Sequence, residues 1–182
     1  MISTAHRQRL LHLAREALVA RVRRGEAPAP PGDLEVPSSG VFVTIHCRGE
    51  LRGCLGTLDG REPLAESIVR LAGDVSHQDY RFNPVATHEL DHLSIDVSVL
   101  SPTEVVTDPT AIEVGRDGLI IEQGSYRGLL LPQVATEHGW DREKFLVQTC
   151  VKAGLPPDAW RHGATILRFQ AEVFREEDHL TS

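Results

Sequence analysis

Apolar residues recur every three or four positions in the first part of the chain, until prolines interrupt the pattern. This spacing predicts a helix over residues 1–25, because it places the apolar side chains on one face. The positions concerned are Leu10, Leu11, Ala14, Ala17, Leu18 and Val22. Ser3 is suited to cap the start of the helix and Gly25 to end it. Residues 26–40 contain four prolines, which predicts an extended connector, since proline breaks helices and central strands.

The pattern then changes from helical spacing to alternation, which predicts a β-hairpin. The run VFVTIHC at 41–47 is followed by a glycine-containing turn at 48–50 and by LRGCLGTL at 51–58. A slip of one residue would turn core side chains toward solvent, so the apolar faces favour a three-residue turn. The resulting pairs are Val43 with Leu55, Thr44 with Cys54, His46 with Arg52 and Cys47 with Leu51.

Helical and strand patterns are interspersed along the rest of the chain. The predicted elements are a helix from Pro63 to Ala72, a short helical stretch from Pro84 to His92, a strand at 95–99, a strand meander at 112–131, a helix at 141–154 and a final strand at 164–174. In the final strand Leu167, Phe169, Ala171 and Val173 are expected to face inward. Because the elements do not repeat as βαβ units, the pattern indicates an α+β fold with a mainly antiparallel sheet flanked by helices.

Charge and composition exclude several classes of function. The net charge of −7 opposes attraction to phosphate backbones, so no nucleic-acid partner is expected. The first residues carry charges instead of the apolar stretch of a signal peptide, and no apolar run reaches membrane-spanning length. The three cysteines lack the spacing of a disulfide framework or an iron–sulfur cluster. A cytoplasmic protein with no evident cofactor is the resulting expectation.

The hairpin register brings together residues that suit thiol chemistry. Thr44, His46, Arg52 and Cys54 share one strand face in this register. A guanidinium on the same side as a thiol would favour the thiolate, and an imidazole could accept the proton. Cys54 is therefore a candidate nucleophile, although free cysteines also serve as small core residues. Gly53 and Gly56 flank it and would let a ligand approach the backbone.

Residues 88–92 match the zinc-binding pattern H-E-x-x-H letter for letter. That pattern requires a long helix and a further ligand, because catalytic zinc has three protein ligands. Here only about two helical turns precede the next strand, and no third ligand follows at a recognisable spacing. We expect no metal site at this segment.

The string LRGCLGT at 51–57 resembles the LRGCIGT motif of the AMMECR domain family, known in prokaryotes as AmmeMemoRadiSam system protein A. Further similar segments are GVFVT at 40–44, RFNPV at 81–85, IDVSVLSP at 95–102, RGLLLPQVA at 127–135, Trp140-Asp141, KAGL at 152–155 and Trp160. Asp96 stands where the family usually has Glu. The resemblance extends from Gly40 to the C-terminus, and so many motifs in order are far more specific than any one of them.

The resemblance implies a larger and a smaller lobe around a cleft, with the Arg-Gly-Cys segment near that cleft. It divides the chain into the N-terminal helix at 1–25, the connector at 26–40, the family domain at 41–176 and a tail at 177–182. The family name also implies a shared pathway with a radical-SAM protein and a Memo-like protein, either of which is a candidate partner. It supplies no reaction, no substrate and no oligomeric state.

Two kinds of function follow from these residues. In the first, the protein is an enzyme in which Cys54 attacks a small substrate, Arg52 activates the thiol, and His46 or His138 accepts the proton. In the second, the same face is a non-catalytic ligand or partner site. The candidate ligand-binding residues are Thr44, Gly53, Gly56, Asp79, Arg81, Gln133 and His138. Arg52 and Arg81 would bind a carboxylate or phosphate, and Gln133 would supply hydrogen bonds.

Overall fold

The computed structural model describes residues 1–179, and they form two compact units. The first unit comprises Met1–Leu100 and the chain from Glu172 onward, and the second comprises Ser101–Ala171. The helices are α1 (Thr4–Val22), α2 (Leu64–Asp74), α3 (Pro132–Glu137) and α4 (Arg142–Lys152), and short 3-10 helices lie at Thr87–His92, Pro109–Ala111, Ala159–Arg161 and Glu177–His179. The strands are β1 (Gly40–Cys47), β2 (Glu50–Thr57), β3 (Leu93–Leu100), β4 (Glu104–Val105), β5 (Asp117–Gln123), β6 (Tyr126–Leu130) and β7 (Thr165–Arg175).

In the first unit, β1 lies between β2 and β3 and pairs antiparallel with both. Helix α1 packs on α2 and β3, and α2 packs on β1 and β2. The core between helices and strands includes Leu10, Leu18, Ile45, Ile68 and Ile95, all fully buried. The end of β7 continues this sheet, because the N–H of Glu176 donates to the carbonyl of Ile95 at 3.1 Å.

The second unit has its own core and its own antiparallel pairs. Strand β5 lies between β6 and β7, and β4 pairs with β7. Helices α3 and α4 pack on β5, and α4 also packs on β6. Phe145, Leu146 and Cys150 of α4 face this core. The Asp141 side chain caps α4 by accepting from the N–H of Lys144, at the start of the helix predicted over 141–154.

The predicted fold class is confirmed: antiparallel strands are flanked by helices and do not form βαβ repeats. The inward set of the last strand is wrong at Val173, which is 42% exposed, whereas Phe174 is buried in the core of the first unit. A single alternation fails because β7 contributes to two separate cores. Residues 180–182 of the predicted tail lie outside the described residues. Over the described part of the chain, no helix is long and apolar enough to cross a membrane.

Candidate functional site

The hairpin β1–β2 has the predicted register in its middle and a different register at its closed end. Val43 pairs with Leu55 and Thr44 with Cys54, as expected. Beyond Ile45 the register shifts, so that His46 pairs with Leu51 and the expected pairing of His46 with Arg52 is wrong. The pairing of Cys47 with Leu51 is also wrong, since Cys47 lies opposite Glu50.

The physical reason is a tighter turn combined with a β-bulge. Arg48 has φ 52° and Gly49 has φ 85°, the left-handed pair of a two-residue hairpin turn. Closing the hairpin with two residues instead of three leaves one extra residue in β2. A bulge at Arg52 accommodates that residue, which preserves the pairing of Thr44 with Cys54.

Cys54 lies in a row of polar side chains that crosses three strands. Thr44 pairs with Cys54 on one side and with Asp96 of β3 on the other. Paired side chains on antiparallel strands lie on the same side of a sheet. The hydroxyl of Thr44 donates to Cys54 Sγ at 3.1 Å, and Cys54 is partly exposed. We call Cys54, Thr44, Asp96 and His46 the polar face.

His46 joins the polar face two residues after Thr44 on the same strand. Its Nδ1 lies 3.9 Å from Asp96 Oδ2, at the outer limit of an ion pair. The same oxygen accepts from Arg175 Nε at 3.2 Å, so the carboxylate is fixed from the neighbouring strand. Asp96 was not among the predicted site residues, although its place between Ile95 and Val97 on an alternating strand already puts it on the polar side.

Asp79 lies in the loop after α2 and connects this loop to the outer edge of β2. One of its oxygens, Oδ2, accepts from the N–H of Cys54 at 3.0 Å and from Arg81 Nη2 at 2.7 Å. The other oxygen accepts from Arg81 Nε at 2.9 Å. The carboxylate is only 5% exposed, and its hydrogen bonds with the Arg81 side chain hold the pKa of Asp79 far below its usual range. Asp79 therefore joins the Cys54 backbone to the Arg81 guanidinium.

The Arg52 side chain binds the segment at 83–89 instead of the Cys54 sulfur. Its Nε and Nη2 donate to the two oxygens of Glu89 at 2.8 and 3.1 Å. Its Nη1 donates to the carbonyl of Asn83 at 2.9 Å. Glu89 also accepts from the N–H of Ala86, and the Arg52 hydrogen bonds lower the pKa of Glu89. The cation linked to Cys54 through a shared carboxylate is Arg81, because Asp79 accepts from both the Cys54 N–H and Arg81 Nη2.

The same contacts give the residues of the H-E-x-x-H segment a structural role. Glu89, which would be the general base of a zinc enzyme, is the partner of Arg52. The segment Thr87–His92 is a 3-10 helix, in which residues four apart point about 120° from each other because there are three residues per turn. Among the described residues, no group of three or more His, Cys, Asp or Glu side chains is arranged to hold a metal ion.

The open space expected beside the two glycines is occupied by protein. A Cβ on Gly56 would lie 2.1 Å from the Phe42 ring, and a Cβ on Gly53 would lie 3.0 Å from the carbonyl oxygen of Val75. The absence of side chains therefore allows β2 to pack against Phe42 and α2. The expectation that a ligand approaches the backbone at Gly53 and Gly56 is therefore wrong for the space of the missing side chains, which protein atoms occupy.

Two predicted residues belong to the second unit. Gln133 is an exposed residue of α3, and its carbonyl accepts from the Thr136 hydroxyl. His138 follows that helix, with Nδ1 2.9 Å from the carbonyl of Val134 and its ring stacked on Trp140 at a centroid distance of 4.6 Å. The other predicted site residues, from Thr44 to Arg81, lie in the first unit. Glu89, the partner of Arg52, was considered only as part of the zinc pattern.

Fold and polar face together define an α+β protein with a cysteine beside a threonine on an antiparallel hairpin. The AMMECR1 family model matches residues 11–174, and the chain therefore belongs to the AMMECR1 family. A protein of Thermococcus gammatolerans is 47% identical, over 92% of this chain and 89% of its own length. A protein of Methanothermobacter thermautotrophicus is 44% identical, over 92% of this chain and 93% of its own.

A solved structure has the same fold. The crystal structure of the uncharacterized protein PH0010 from Pyrococcus horikoshii matches with a TM-score of 0.78 at 42% identity. The match covers 97% of this chain and 94% of that protein. Because 97% of this chain is covered, the matched part includes residues of both compact units.

Proposed function

We propose that this protein is a thiol-dependent enzyme in which Cys54 is the nucleophile toward a small substrate. The observation that carries the proposal is the row of Cys54, Thr44 and Asp96 across three strands, with His46 beside Asp96 on the same face. A nucleophile, a base and a group that orients the base are the three elements of cysteine and serine catalysis. The polar face supplies one residue for each.

Each residue of the polar face has a separate role in this proposal. His46 takes the thiol proton, and Asp96 orients the imidazole through Nδ1, which leaves Nε2 as the acceptor. His46 is diagonal to Cys54 across the β1–β2 pair, a separation of about 7–8 Å between backbones that a long or aromatic side chain can reach. Contacts of this kind often tighten only when substrate binds. The Thr44 hydroxyl, at 3.1 Å, stabilises negative charge on the sulfur.

A second candidate function is non-catalytic. The observation that favours it is the guanidinium of Arg81, which is half exposed and beside the Cys54 backbone, where it suits a carboxylate or phosphate whether or not the sulfur reacts. In that case the polar face is a ligand or partner site of an accessory protein. A pathway with a Memo-like and a radical-SAM protein fits either candidate and stays a prediction.

The experiment that separates them is the pH profile of Cys54 alkylation by iodoacetamide in three variants. His46→Gln should slow Cys54 near neutral pH by about an order of magnitude, less than the full contribution of a positioned base because the reagent is not the natural substrate. The rates of variant and wild type should converge at alkaline pH, where hydroxide removes the proton without a base. Asp96→Asn should show a smaller effect in the same direction.

The third variant and the control test the sulfur contact. Thr44→Val keeps the side-chain shape and removes the hydroxyl donor, so it should slow alkylation at neutral pH. His12→Gln is the control, because His12 is exposed on α1, where it lies 3.5 Å from Glu16. Profiles of His46→Gln and Asp96→Asn that match His12→Gln and wild type would exclude the catalytic role and leave the non-catalytic candidate.

A further inference from the structure

The turn at 79–82 carries two side chains, those of Tyr80 and Arg81, that the proposed chemistry does not use. The N–H of Phe82 donates to the carbonyl of Asp79 at 3.0 Å, and the N–H of Arg81 donates to the Asp79 side chain at 3.2 Å. These bonds close a turn in which Tyr80 and Arg81 are the central residues. Since Asp79 also accepts from the Cys54 N–H, the turn is attached to the strand that carries the nucleophile.

Arg81 is fixed by one edge of its guanidinium, which leaves another edge for a ligand. Nε and Nη2 contact the two oxygens of Asp79, a side-on pair that orients the planar group. Nη1 has no acceptor among the residues that the structure describes, and the side chain is 50% exposed. A guanidinium has five N–H donors, so this one is both immobilised and available to an anion.

The surroundings favour an anion that also has a flat or apolar part. Tyr80 is 96% exposed, although large aromatic side chains usually bury most of their surface. Of its two neighbours, Asp79 accepts from the Cys54 N–H and Arg81 donates to Asp79, so the backbone of Tyr80 is held at both sides while its ring faces solvent. An ordered tyrosine and arginine side by side are the residue types that most often dominate binding sites.

We infer that the turn at 79–82 binds the anionic group of the substrate, a carboxylate or phosphate held by Arg81, and thereby places an electrophilic carbon near Cys54. The inference rests on the proposed function and adds a substrate class to it: small organic anions with an electrophilic carbon near the charged group. Arg81 then discriminates between charged and neutral substrates that react equally well with a thiol.

Two alkylating reagents that differ in charge test this inference. Iodoacetate and iodoacetamide react with a thiolate by the same substitution. In each case the sulfur–carbon bond forms, the carbon–iodine bond breaks, and iodide leaves with the electron pair. Their rate ratio at Cys54, divided by the same ratio for 2-mercaptoethanol, measures anion preference independently of thiol ionisation. We expect wild type to prefer iodoacetate by about two- to fivefold, the contribution of one partly exposed charge pair. High salt should reduce the preference.

Variants of the turn assign the preference to one residue. Arg81→Gln should abolish it, and Arg81→Lys should retain part of it. Inorganic phosphate and acetate, added at matched ionic strength, should each slow iodoacetamide at Cys54 in wild type. The anion that protects at lower concentration distinguishes a phosphate from a carboxylate substrate.

The outcomes separate this inference from the proposed function. Reaction of Cys54 with both reagents, but with no wild-type preference or with one that Arg81→Gln retains, overturns the anion site and leaves the nucleophile in place. A Cys54 that reacts with neither reagent overturns both. If Arg81→Gln does not fold, the wild-type ratio, its salt dependence and protection by the two anions still decide the question, since a ratio equal to that of 2-mercaptoethanol contradicts the inference.

Discussion

At the scale of single residues, the two arginines near the Arg-Gly-Cys segment have different roles. Arg52 has a side chain only 16% exposed, and it joins β2 to Glu89 and to the carbonyl of Asn83. Arg81 is half exposed and linked to the Cys54 N–H through Asp79. The pattern of apolar and polar positions does not distinguish the two arginines. The role of Arg52 depends on Asn83 and Glu89, which are distant in sequence, and that of Arg81 depends on the turn at 79–82.

Arg52→Ala tests the structural role. The change leaves the partly buried Glu89 carboxylate without its cation and the carbonyl of Asn83 without this donor, so we expect a loss of about 2 kcal/mol in the free energy of unfolding. Urea denaturation measures it. The Cys54 alkylation rate of the folded variant should stay near that of wild type. Arg61→Ala is the control and should be close to wild type in stability, since Arg61 is 91% exposed.

A slower Cys54 in folded Arg52→Ala, combined with unchanged stability, would contradict this assignment. It would restore the role that the sequence predicts for Arg52, activation of the thiol by a neighbouring charge. The wild-type contacts of Arg52 argue otherwise, because its guanidinium binds Glu89 and the carbonyl of Asn83.

Asp79 makes part of the stability dependent on pH. Its folded pKa lies below the unfolded value of about 4, so the unfolded state binds more protons as the solution is acidified. The stabilisation is therefore present above about pH 4 and lost as the pH falls toward the folded pKa. We expect the difference in unfolding free energy between wild type and Asp79→Asn to be large at pH 6 and much smaller at pH 3.

The control for this pH dependence is Asp33→Asn. Asp33 also pairs with an arginine, Arg9, but both side chains are largely exposed, and exposed pairs contribute little. Denaturation curves at both pH values compare the variants. An Asp79→Asn difference that is the same at pH 6 and pH 3 would show that the carboxylate charge does not stabilise the fold.

At the scale of elements, the hairpin shows how far an alternating pattern determines a register. The pairs Val43–Leu55 and Thr44–Cys54 were predictable, because any odd slip would expose the valine to solvent. The closed end was not, since Arg48 adopts a left-handed conformation that asparagine or glycine more commonly provides. A bulge at Arg52 then restores the pairing of Thr44 with Cys54. The apolar and polar pattern along β2 does not indicate this bulge.

The glycine beside the cysteine illustrates a second limit. Gly56 could be recognised as special from the sequence, but the reason for it lies on the neighbouring strand. Phe42 is its cross-strand partner, and the ring covers the position of the missing Cβ. The predicted register already pairs Phe42 with Gly56, but the pairing alone does not show that the ring, instead of a ligand, occupies the position of the missing Cβ.

Gly56→Ala tests this packing. The added methyl group would lie 2.1 Å from the Phe42 ring, and displacement of the ring should lower the free energy of unfolding by about 1–3 kcal/mol. Thermal or urea denaturation measures the change. Gly32→Ala is the matched control, because nothing lies within 4 Å of its Cβ position. Equal stability of both variants would contradict the packing role.

At the scale of the whole molecule, the class of fold was predictable from the pattern of the chain, while the assignment of residues of the last strand to two cores was not. The mixture of strand and helix patterns indicates α+β, and the structure confirms it. The last strand reads as one alternating segment, yet Ile166 belongs to the core of the second unit and Phe174 to that of the first. The spacing of apolar residues along a chain indicates the type of secondary structure. It does not indicate which of two cores a buried residue belongs to.

The net charge leads to a prediction about partners. With a charge of −7, the chain gains little from release of counterions around a nucleic acid. Fluorescence anisotropy with a random DNA duplex should therefore show no binding at physiological salt. Tight binding that weakens steeply with added salt would contradict the prediction and would require a local basic surface. Lysozyme, a basic protein, serves as the positive control.

The central claim is that Cys54 is a nucleophile, and its most direct test is competition among the three thiols of the native protein. Cys47 and Cys54 are both partly exposed, whereas Cys150 is buried, so Cys47 controls for access. Native protein is treated briefly with limiting iodoacetamide near neutral pH, and mass spectrometry gives the alkylated fraction at each cysteine, normalised to the denatured protein. We predict that Cys54 is alkylated several times faster than Cys47, with Cys150 slowest. Alkylation of Cys54 no faster than that of Cys47 would contradict the account.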